Sequence, residues 1–198
     1  MMIGFKACLV NTFGVSQQLI LAGLGSLIMM GAQGAWPAAI RAETIEFGQQ
    51  EVEQKRFIAI AVPRRYGYSL VVVEQVRDTR PCWQESGNAP IQVDPLLLTF
   101  DFTGICGRAT DSNGYSVRMG GQDLALTHTL SVRGVGNDIL LVASSRVDVY
   151  AAPIVIGRTY GVTNGFAKIV LEPGWRFTKR TYGEKTLGHV YFTHDSSD

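Results

Sequence analysis

The chain has 198 residues and carries 18 basic and 17 acidic side chains, which gives a formal net charge of +1. With 46% apolar residues, a chain of this length can bury one hydrophobic core, and this predicts a single domain. Such a balanced charge produces no overall field that would drive the protein onto nucleic acid or an anionic membrane surface. We therefore expect no nucleic-acid partner.

The first 42 residues have the pattern of a secretory signal peptide. Lys6 is the only charged residue before Arg41, residues 19–30 form an apolar run, and small residues follow this run. A positively charged start, an apolar stretch and a small-residue region together predict cleavage by a signal peptidase. The small residues place the cleavage near Gly34 or Ala42.

Cleavage would leave residues 43–198 as one exported domain with no stable membrane span. Removing residues 1–42 takes away two basic residues and no acidic residue, so the formal charge would change from +1 to −1. The predicted compartment is the periplasm or the extracellular surface, with the thylakoid lumen as a further option. The alternative is an uncleaved membrane anchor, because residues 9–30 are just long enough to cross a bilayer.

Cleavage would also leave two cysteines, Cys82 and Cys106, since Cys8 would be lost with the signal peptide. Two cysteines in an exported chain most simply form a disulfide. Closing a loop of this length would contribute on the order of 3 kcal/mol to stability. The alternative for Cys106 is a reactive thiol, which would need a neighbouring base and an electropositive setting.

Two strands are predicted at the start of the domain. Residues 57–62 (FIAIAV) are a continuous apolar run of strand length, and residues 69–76 (SLVVVEQV) are rich in β-branched residues. The turn between them, Pro63–Gly67, contains residues that favour chain reversal. The pattern predicts a β-hairpin.

The middle of the domain alternates between apolar and polar residues with a period of two. This alternation predicts strands over residues 98–102, 115–119 and 124–132. Asn113-Gly114 tolerates the positive φ angles of a tight hairpin turn, and Gly120-Gly121 provides the next turn. We interpret the three strands as an antiparallel meander.

Shorter strands are predicted in the last third of the chain, where Pro173-Gly174 is a turn signal for a second meander. About ten short strands at regular spacing, without a convincing long helix, indicate an all-β fold. The predicted fold class is an antiparallel β-sandwich or barrel of about ten short strands with one disulfide. The predicted strands of this last part are residues 139–143, 147–150, 154–156, 166–171, 175–182 and 187–193.

No motif in the sequence identifies a reaction. Nucleophile elbows, phosphate loops and dinucleotide fingerprints do not occur. A glycoside hydrolase needs two carboxylates facing each other, and the central region offers four Asp residues with His128 nearby. Turn-forming or solvated side chains explain the same residues more simply. The four residues are Asp94, Asp101, Asp111 and Asp123.

A metal site is not predicted either. Residues 111–116 resemble the start of a calcium loop, but Ser116 and Gln122 replace the glycine and the glutamate that such a loop requires. A zinc site would need clustered Cys and His ligands, and neither an HxH nor a Cys-x-x-Cys spacing occurs. We expect no metal and no other cofactor.

The best candidate for a binding surface is the predicted strand over residues 175–182 (WRFTKRTY). Alternation places Arg176, Arg180 and Tyr182 on one face of this strand. Guanidinium groups beside an aromatic ring suit sugars, acidic polysaccharide or a phosphorylated partner. Arg158 and Tyr160, in a flexible loop, would extend the surface. The alternative is a solvated outer face over a core of Trp175 and Phe177.

The assembled stretches resemble a family of exported cyanobacterial proteins catalogued only as a domain of unknown function. The resemblance covers residues 47–195 and implies an exported, cyanobacterial envelope protein, with no activity, cofactor or catalytic residue attached to it. The stretches are FGQQEVEQKRFIAIAVP from Phe47, RPCW from Arg80, DPLLLTFDFTGICGRATDSNGYSVRMGGQDL from Asp94, and LEPGWRFTKRTYGEKTLGHVY from Leu171.

Together these patterns favour a binding or structural domain over an enzyme. The leading hypothesis is a secreted or periplasmic all-β domain that contacts envelope polysaccharide or another envelope protein. An enzyme that hydrolyses envelope glycan through an Asp pair is the alternative. A purely structural subunit of a surface layer is a third hypothesis, which would show as self-assembly without affinity for soluble sugars.

Overall fold

The structure, a computed structural model, describes residues 46–196. These residues belong to one compact unit, Thr44–Asp198. The predicted signal peptide and its cleavage sites lie outside the described residues.

Fourteen strands and two short 3-10 turns make up the described part of the chain. The 3-10 turns are Gln54–Arg56 and Leu96–Thr99. The strands are β1 (Gly48–Glu51), β2 (Phe57–Pro63), β3 (Tyr68–Gln75), β4 (Gln84–Ser86), β5 (Gln92–Asp94), β6 (Cys106–Ala109), β7 (Tyr115–Met119), β8 (Gln122–Asp123), β9 (His128–Val135), β10 (Asp138–Ser145), β11 (Ile154–Arg158), β12 (Ala167–Leu171), β13 (Arg176–Tyr182) and β14 (Lys185–His194).

The strands form two sheets. The smaller sheet has five strands in the order β1-β13-β14-β7-β8, and the larger sheet has nine. Seven of these follow the order β6-β3-β2-β12-β11-β10-β9, while β5 pairs with β12 and with β4. All pairs are antiparallel except one, because β7 and β14 run parallel. The predicted all-β class is confirmed, with fourteen strands where about ten were expected.

The predicted hairpin at the start of the domain is confirmed as β2 and β3, which pair in register from Phe57↔Glu74 to Pro63↔Tyr68. β2 is buried on both faces, and this explains why its sequence is an unbroken apolar run. Ala59 and Ala61 face the space between the two sheets, whereas Ile58 and Ile60 face the other way. One strand therefore contributes to two hydrophobic cores.

The main core lies between the two sheets. Aromatic side chains connect them, since the rings of Phe57 and Phe177 stack with centroids 5.6 Å apart and Phe177 packs against Phe192 at 5.2 Å. From the larger sheet, Ile139, Leu141 and other apolar residues of β9 to β12 fill the remaining space. This facing arrangement of two sheets around one core is that of a sandwich.

A second, smaller core covers the opposite face of β2 and β3. It is closed by the segment between β3 and β6, from which Leu97 is 1% exposed. Cys82 and Cys106, both buried in this core, form the predicted disulfide with Cα atoms 5.9 Å apart. The cross-link joins the start of this covering segment to β6. The predicted disulfide is thus confirmed.

The predicted strand over residues 98–102 is wrong. A 3-10 turn occupies Leu96–Thr99, and the chain then continues without a strand to Cys106. The alternating residues Phe100 and Phe102 do point into an apolar environment, but they pack against the second core as part of a covering loop. Alternation here reflects burial on one side of a loop and not pairing in a sheet.

The two meanders are also not formed in the way that the sequence predicted. β7 forms a hairpin with the two-residue strand β8, and the chain makes turns over residues 124–127 before β9 begins. At Pro173-Gly174 the chain does not form a hairpin but passes from β12 in the larger sheet to β13 in the smaller one. β7 consequently finds its second partner in β14, more than sixty residues further along the chain.

Candidate functional site

The structure places Arg176, Arg180 and Tyr182 on β13 with their side chains on the outer face of the smaller sheet. Their neighbour Phe177 lies in the main core, so alternation directs the three side chains outward. Arg158 and Tyr160 lie in and just after β11, which belongs to the larger sheet. The five residues predicted as one surface are therefore divided between the two sheets.

At one end of β13, Arg176 is held by two acidic residues. Its guanidinium donates to Glu51 and to Asp195, each with a shortest distance of 2.8 Å. These hydrogen bonds raise the pKa of Arg176 above its already high ordinary value. The two carboxylates neutralise the guanidinium of Arg176, and the residue therefore attracts an anionic ligand only weakly.

Arg158 is neutralised in a similar way on the larger sheet. Its Nε donates to Glu172 at 2.5 Å, and Asp138 lies 3.7 Å away. The guanidinium also lies 5.8 Å from the centre of the Tyr160 ring. Tyr160 itself adopts a φ of 55°, which is uncommon for a residue other than glycine. Arg158 and Tyr160 form a local arginine–aromatic pair.

Arg180 belongs to a network centred on the carboxylate of Asp123. Oδ2 of Asp123 accepts from Nη2 of Arg180 and from the hydroxyl of Tyr191, both at 2.7 Å. Nε of Arg180 donates to the Tyr191 oxygen at 2.6 Å, and the Ala125 amide donates to Oδ1 of Asp123 at 3.0 Å. Burial raises the pKa of Tyr191 to about 12, and its hydrogen bond to Asp123 adds to this rise. The phenol therefore remains a hydrogen-bond donor.

A second hydrogen-bonded pair, Ser116 and His189, lies beside this network. Nδ1 of His189 is 2.8 Å from the carbonyl oxygen of Asn113, which can only accept, so Nδ1 carries a proton. In the neutral ring Nε2 is then an acceptor, and it lies 2.8 Å from the Ser116 hydroxyl. Burial lowers the pKa of His189, and the neighbouring Arg180 charge lowers it further. The imidazole is therefore neutral at neutral pH.

The lowered pKa of His189 predicts a loss of stability in acid. Below the ordinary histidine pKa of 6.5, the unfolded chain binds a proton more readily than the folded protein, so the free energy of unfolding falls as the pH drops. The loss begins near pH 6.5 and ends at the folded-state pKa. Urea unfolding of the wild type and of His189→Asn between pH 8 and pH 5 would measure it. We expect the variant to have a smaller slope over this range.

His128→Asn is the matched control for this experiment. His128 is half-buried and contacts the Thr127 hydroxyl at 3.0 Å, outside the Ser116–His189 pair. Its replacement should leave the slope of the wild type unchanged. Equal slopes for the wild type and His189→Asn would contradict the assignment of the neutral imidazole.

A cleft of about 530 Å³ opens next to the Asp123 network, and we call it the Arg118 cleft. It lies where the chain before β1 passes over the outer face of the smaller sheet. Its walls combine acidic, basic and aromatic side chains, and Leu126 stands exposed at its rim. The lining residues are Glu46, Phe47, Arg118, Gly121, Gln122, Asp123, Ala125, Leu126 and Arg180.

Arg118 is the unusual residue of this cleft. It is only 7% exposed, and its Nη1 donates to the carbonyl oxygen of Phe47 at 3.0 Å. The guanidinium lies 5.5 Å from the centre of the Tyr191 ring. Its Nε is buried without a hydrogen-bond partner, and within residues 46–196 Arg118 forms no ion pair. A buried guanidinium with an unsatisfied donor is costly unless an anion compensates it.

Phe47 and Arg180 also line the cleft, and two tyrosine rings lie close to them. The guanidinium of Arg180 lies 4.6 Å from the centre of the Phe47 ring and 5.0 Å from that of Tyr191. The Tyr182 ring, 54% exposed, lies 6.2 Å from Phe47. Of the five predicted residues, Arg180 lines the cleft and Tyr182 stands beside it. Flat rings next to hydrogen-bonding groups are suited to a sugar, which presents both C–H faces and hydroxyls.

The other candidate residues lie elsewhere and have local roles. The side chain of Thr103 and then its backbone amide donate to the carboxylate of Asp101, and these hydrogen bonds lower the pKa of Asp101. Asp94 is exposed in β5, and Asp111 accepts from the amide of Asn113 in the turn before β7. Among the described residues, no group of three or more His, Cys, Asp or Glu side chains is arranged to hold a metal ion.

Four residues of the site were not predicted as functional: Ser116, Arg118, His189 and Tyr191. The alternation of Ser116 and Arg118 along β7 indicated a polar face, which reads equally well as a solvated surface. What makes this face a buried site is the parallel pairing of β7 with β14, which sets Ser116 opposite Tyr191 and Arg118 opposite Thr193. One local feature of the sequence did point to this site: alternation places His189 and Tyr191 on the same face of the last predicted strand.

The fold and the site thus define a class of protein: a disulfide-linked, two-sheet β domain with a polar cleft on the outer face of its smaller sheet. A family model described as "Protein of unknown function (DUF3747)" matches residues 24–197. The match covers most of the chain, and the protein therefore belongs to this family. The predicted membership in a domain family of unknown function is confirmed.

Two further comparisons give no additional relatives. No curated protein and no solved structure matches the chain. Within residues 46–196, every helical segment is too short or too polar to cross a bilayer.

Proposed function

We propose that this protein is an exported envelope domain that binds acidic polysaccharide in the Arg118 cleft. The observation that carries the proposal is Arg118, whose charge is buried and unpaired among the described residues and which lines an open cleft. A carboxylate on the ligand would compensate this charge, because charge-assisted hydrogen bonds between arginine and carboxylate are stronger than those between neutral groups.

The remaining groups of the cleft suit the neutral part of the same ligand. Asp123 offers a carboxylate and Arg180 offers donors, so that neighbouring hydroxyls of a sugar ring can be bound together. Phe47 provides an apolar ring beside them. A chain of sugars bearing carboxylates, such as a polyuronate, has all three chemical features in one repeating unit.

Export is proposed from two independent features. The pattern of residues 1–42 is that of a signal peptide. The Cys82–Cys106 disulfide is of the kind that persists in oxidising compartments and is rare in the cytosol. An exported domain meets envelope polysaccharide in the periplasm or at the cell surface, and the cyanobacterial origin implied by the resemblance remains part of this proposal.

The test compares binding of the full chain to polygalacturonate and to uncharged dextran by isothermal titration calorimetry. We expect binding to polygalacturonate only, and Arg118→Met should weaken it at least tenfold because a charged hydrogen-bonding group is lost. Arg133→Met, which removes an exposed arginine of β9, is the matched control and should bind like the wild type.

A stability measurement distinguishes this role of Arg118 from a purely structural one. Replacing an uncompensated buried charge by an apolar side chain of similar size is often neutral or stabilising. Arg118→Met should therefore unfold at the same or a higher urea concentration than the wild type. Lower stability together with unchanged polygalacturonate binding would refute the proposal.

Single substitutions test which of the other residues of the predicted surface contribute to binding. Arg180→Ala should weaken binding, since Arg180 lines the cleft, whereas Arg176→Ala should not, because Glu51 and Asp195 already pair with Arg176. The rival proposal, a glycan hydrolase with an Asp pair, predicts turnover of polysaccharide that is lost in Asp94→Asn or Asp101→Asn. A binding domain predicts no turnover in the wild type.

A further inference from the structure

A second cleft, of about 260 Å³, lies on the larger sheet, far from the chemistry of the Arg118 cleft. We call it the Arg108 cleft. It opens between the outer face of β2 and β3 and the covering segment that the disulfide holds in place. Aliphatic and aromatic side chains form nearly all of its wall: Ile60, Val62, Val71, Val73, Pro95, Leu97, Leu98 and Phe166.

The remaining lining residues are two arginines and a threonine. Arg64, Arg108 and Thr110 complete the wall, which contains no acidic side chain. Arg64 donates through Nε to the Ser69 hydroxyl at 2.8 Å, and the guanidinium of Arg108 lies 5.6 Å from the centre of the Phe102 ring. Neither arginine forms an ion pair in the part of the chain that the structure describes. Both keep donors available for an anion.

The hairpin and β6 bring these two charges to one apolar surface. Arg64 follows Pro63 in the turn between β2 and β3, where its amide donates to the carbonyl of Gly67. Arg108 is opposite Val73 in the pairing of β6 with β3, so its side chain is on the face that carries Val73. An apolar cleft with cationic groups at its wall is complementary to a ligand with an apolar body and an anionic end.

We propose that the Arg108 cleft binds a medium-chain fatty carboxylate, with its alkyl chain against the apolar wall and its carboxylate at the cationic rim to which Arg64 and Arg108 belong. The volume of the cleft limits the size of the ligand. Since a methylene group occupies about the 30 Å³ of a water molecule in the liquid, an unbranched chain of about eight or nine carbons matches the 260 Å³ of this open cleft in size. The cleft is smaller than a typical drug-sized pocket, and a single chain fits it better than a helix or a fused-ring ligand.

The chain-length dependence of binding is the first test. The full chain is titrated with sodium hexanoate, octanoate, decanoate and dodecanoate below their micelle concentrations. Each additional methylene that is buried should raise the affinity about fourfold. We expect this rise up to octanoate or decanoate and a plateau beyond it. An affinity that is independent of chain length would overturn the proposal.

The anionic end is tested with octanol, which has the same alkyl chain without a charge. Octanoate should bind at least tenfold more tightly than octanol. The double variant Arg64→Gln with Arg108→Gln should reduce octanoate binding to the level of octanol and leave octanol binding unchanged. Arg133→Gln, on β9, is the matched control and should bind octanoate like the wild type. Octanol binding as tightly as octanoate would contradict the role of the arginines.

The position of the chain is tested with Leu98→Asp. Leu98 is 61% exposed, so the substitution should not prevent folding, and it places a negative charge at the wall of the cleft. We expect at least a tenfold loss of octanoate affinity. Unchanged affinity, or binding only to anionic lipid vesicles and not to monomeric octanoate, would overturn the proposal. Arg118→Met should bind octanoate normally, which separates this site from the polysaccharide cleft.

Discussion

Replacing both bridging cysteines, in Cys82→Ala with Cys106→Ala, is expected to lower the free energy of unfolding by about 3 kcal/mol. The bond closes a loop with a sequence separation of 24 residues, and the chain-entropy model gives this order of magnitude for such a loop. The bond also acts locally in the folded protein, because Cys82 and Cys106 belong to the second core that the covering segment closes.

Urea unfolding with and without reducing agent measures this effect. The wild type should lose about 3 kcal/mol on reduction, whereas the double variant should be insensitive to the reducing agent. Hydrogen exchange should show increased opening of the covering segment, and main-core amides that exchange through global unfolding should lose protection in step with the free energy of unfolding. A loss below about 1 kcal/mol would mean that the second core holds the segment without the cross-link.

Asp123→Ala is expected to have an effect of similar size, about 3 kcal/mol, for a different reason. The substitution removes the acceptor for Arg180, Tyr191 and the amide of Ala125 at the same time. The side chains of Asp123 and Arg180 are only 20% and 15% exposed, so the arginine would be left as a largely buried charge without its partner. Breaking such a pair costs more than the pair contributes when it is intact.

Glu51→Ala is the matched control for this substitution. It also removes a carboxylate that pairs with an arginine of β13, but Glu51 is 58% exposed and Arg176 keeps Asp195 as a partner. We expect a loss below about 0.5 kcal/mol. If both variants unfolded at the same urea concentration, the Asp123 network would be no more than a surface ion pair.

Patterns within single strands were reliable guides to this fold. The apolar run of β2 and the β-branched run of β3 predicted a hairpin that the structure contains, and alternation placed Arg180 correctly on the face opposite Phe177. The two cysteines predicted the cross-link. Each of these features depends on neighbours in sequence or on a count of residues, which a single chain displays directly.

The site could not be predicted in the same way, because it depends on which strands become neighbours. Ser116 meets His189 and Asp123 meets Tyr191 only because β7 pairs with β14. A strand of five residues has no local feature that specifies a partner so far along the chain. For the same reason Arg158 and Tyr160 were grouped with β13, although the sheet that contains them was a different one.

The position of β14 also sets the order in which the molecule can be assembled. This strand lies at the centre of the smaller sheet, between β13 and β7, yet in sequence it follows the thirteen other strands of residues 46–196. Until residues 185–194 join the sheet, β7 and β8 have no partner in the rest of it, and the main core remains open on that side. Completion of the fold therefore depends on a long-range contact, which favours slow folding and leaves unpaired strand edges exposed until it forms.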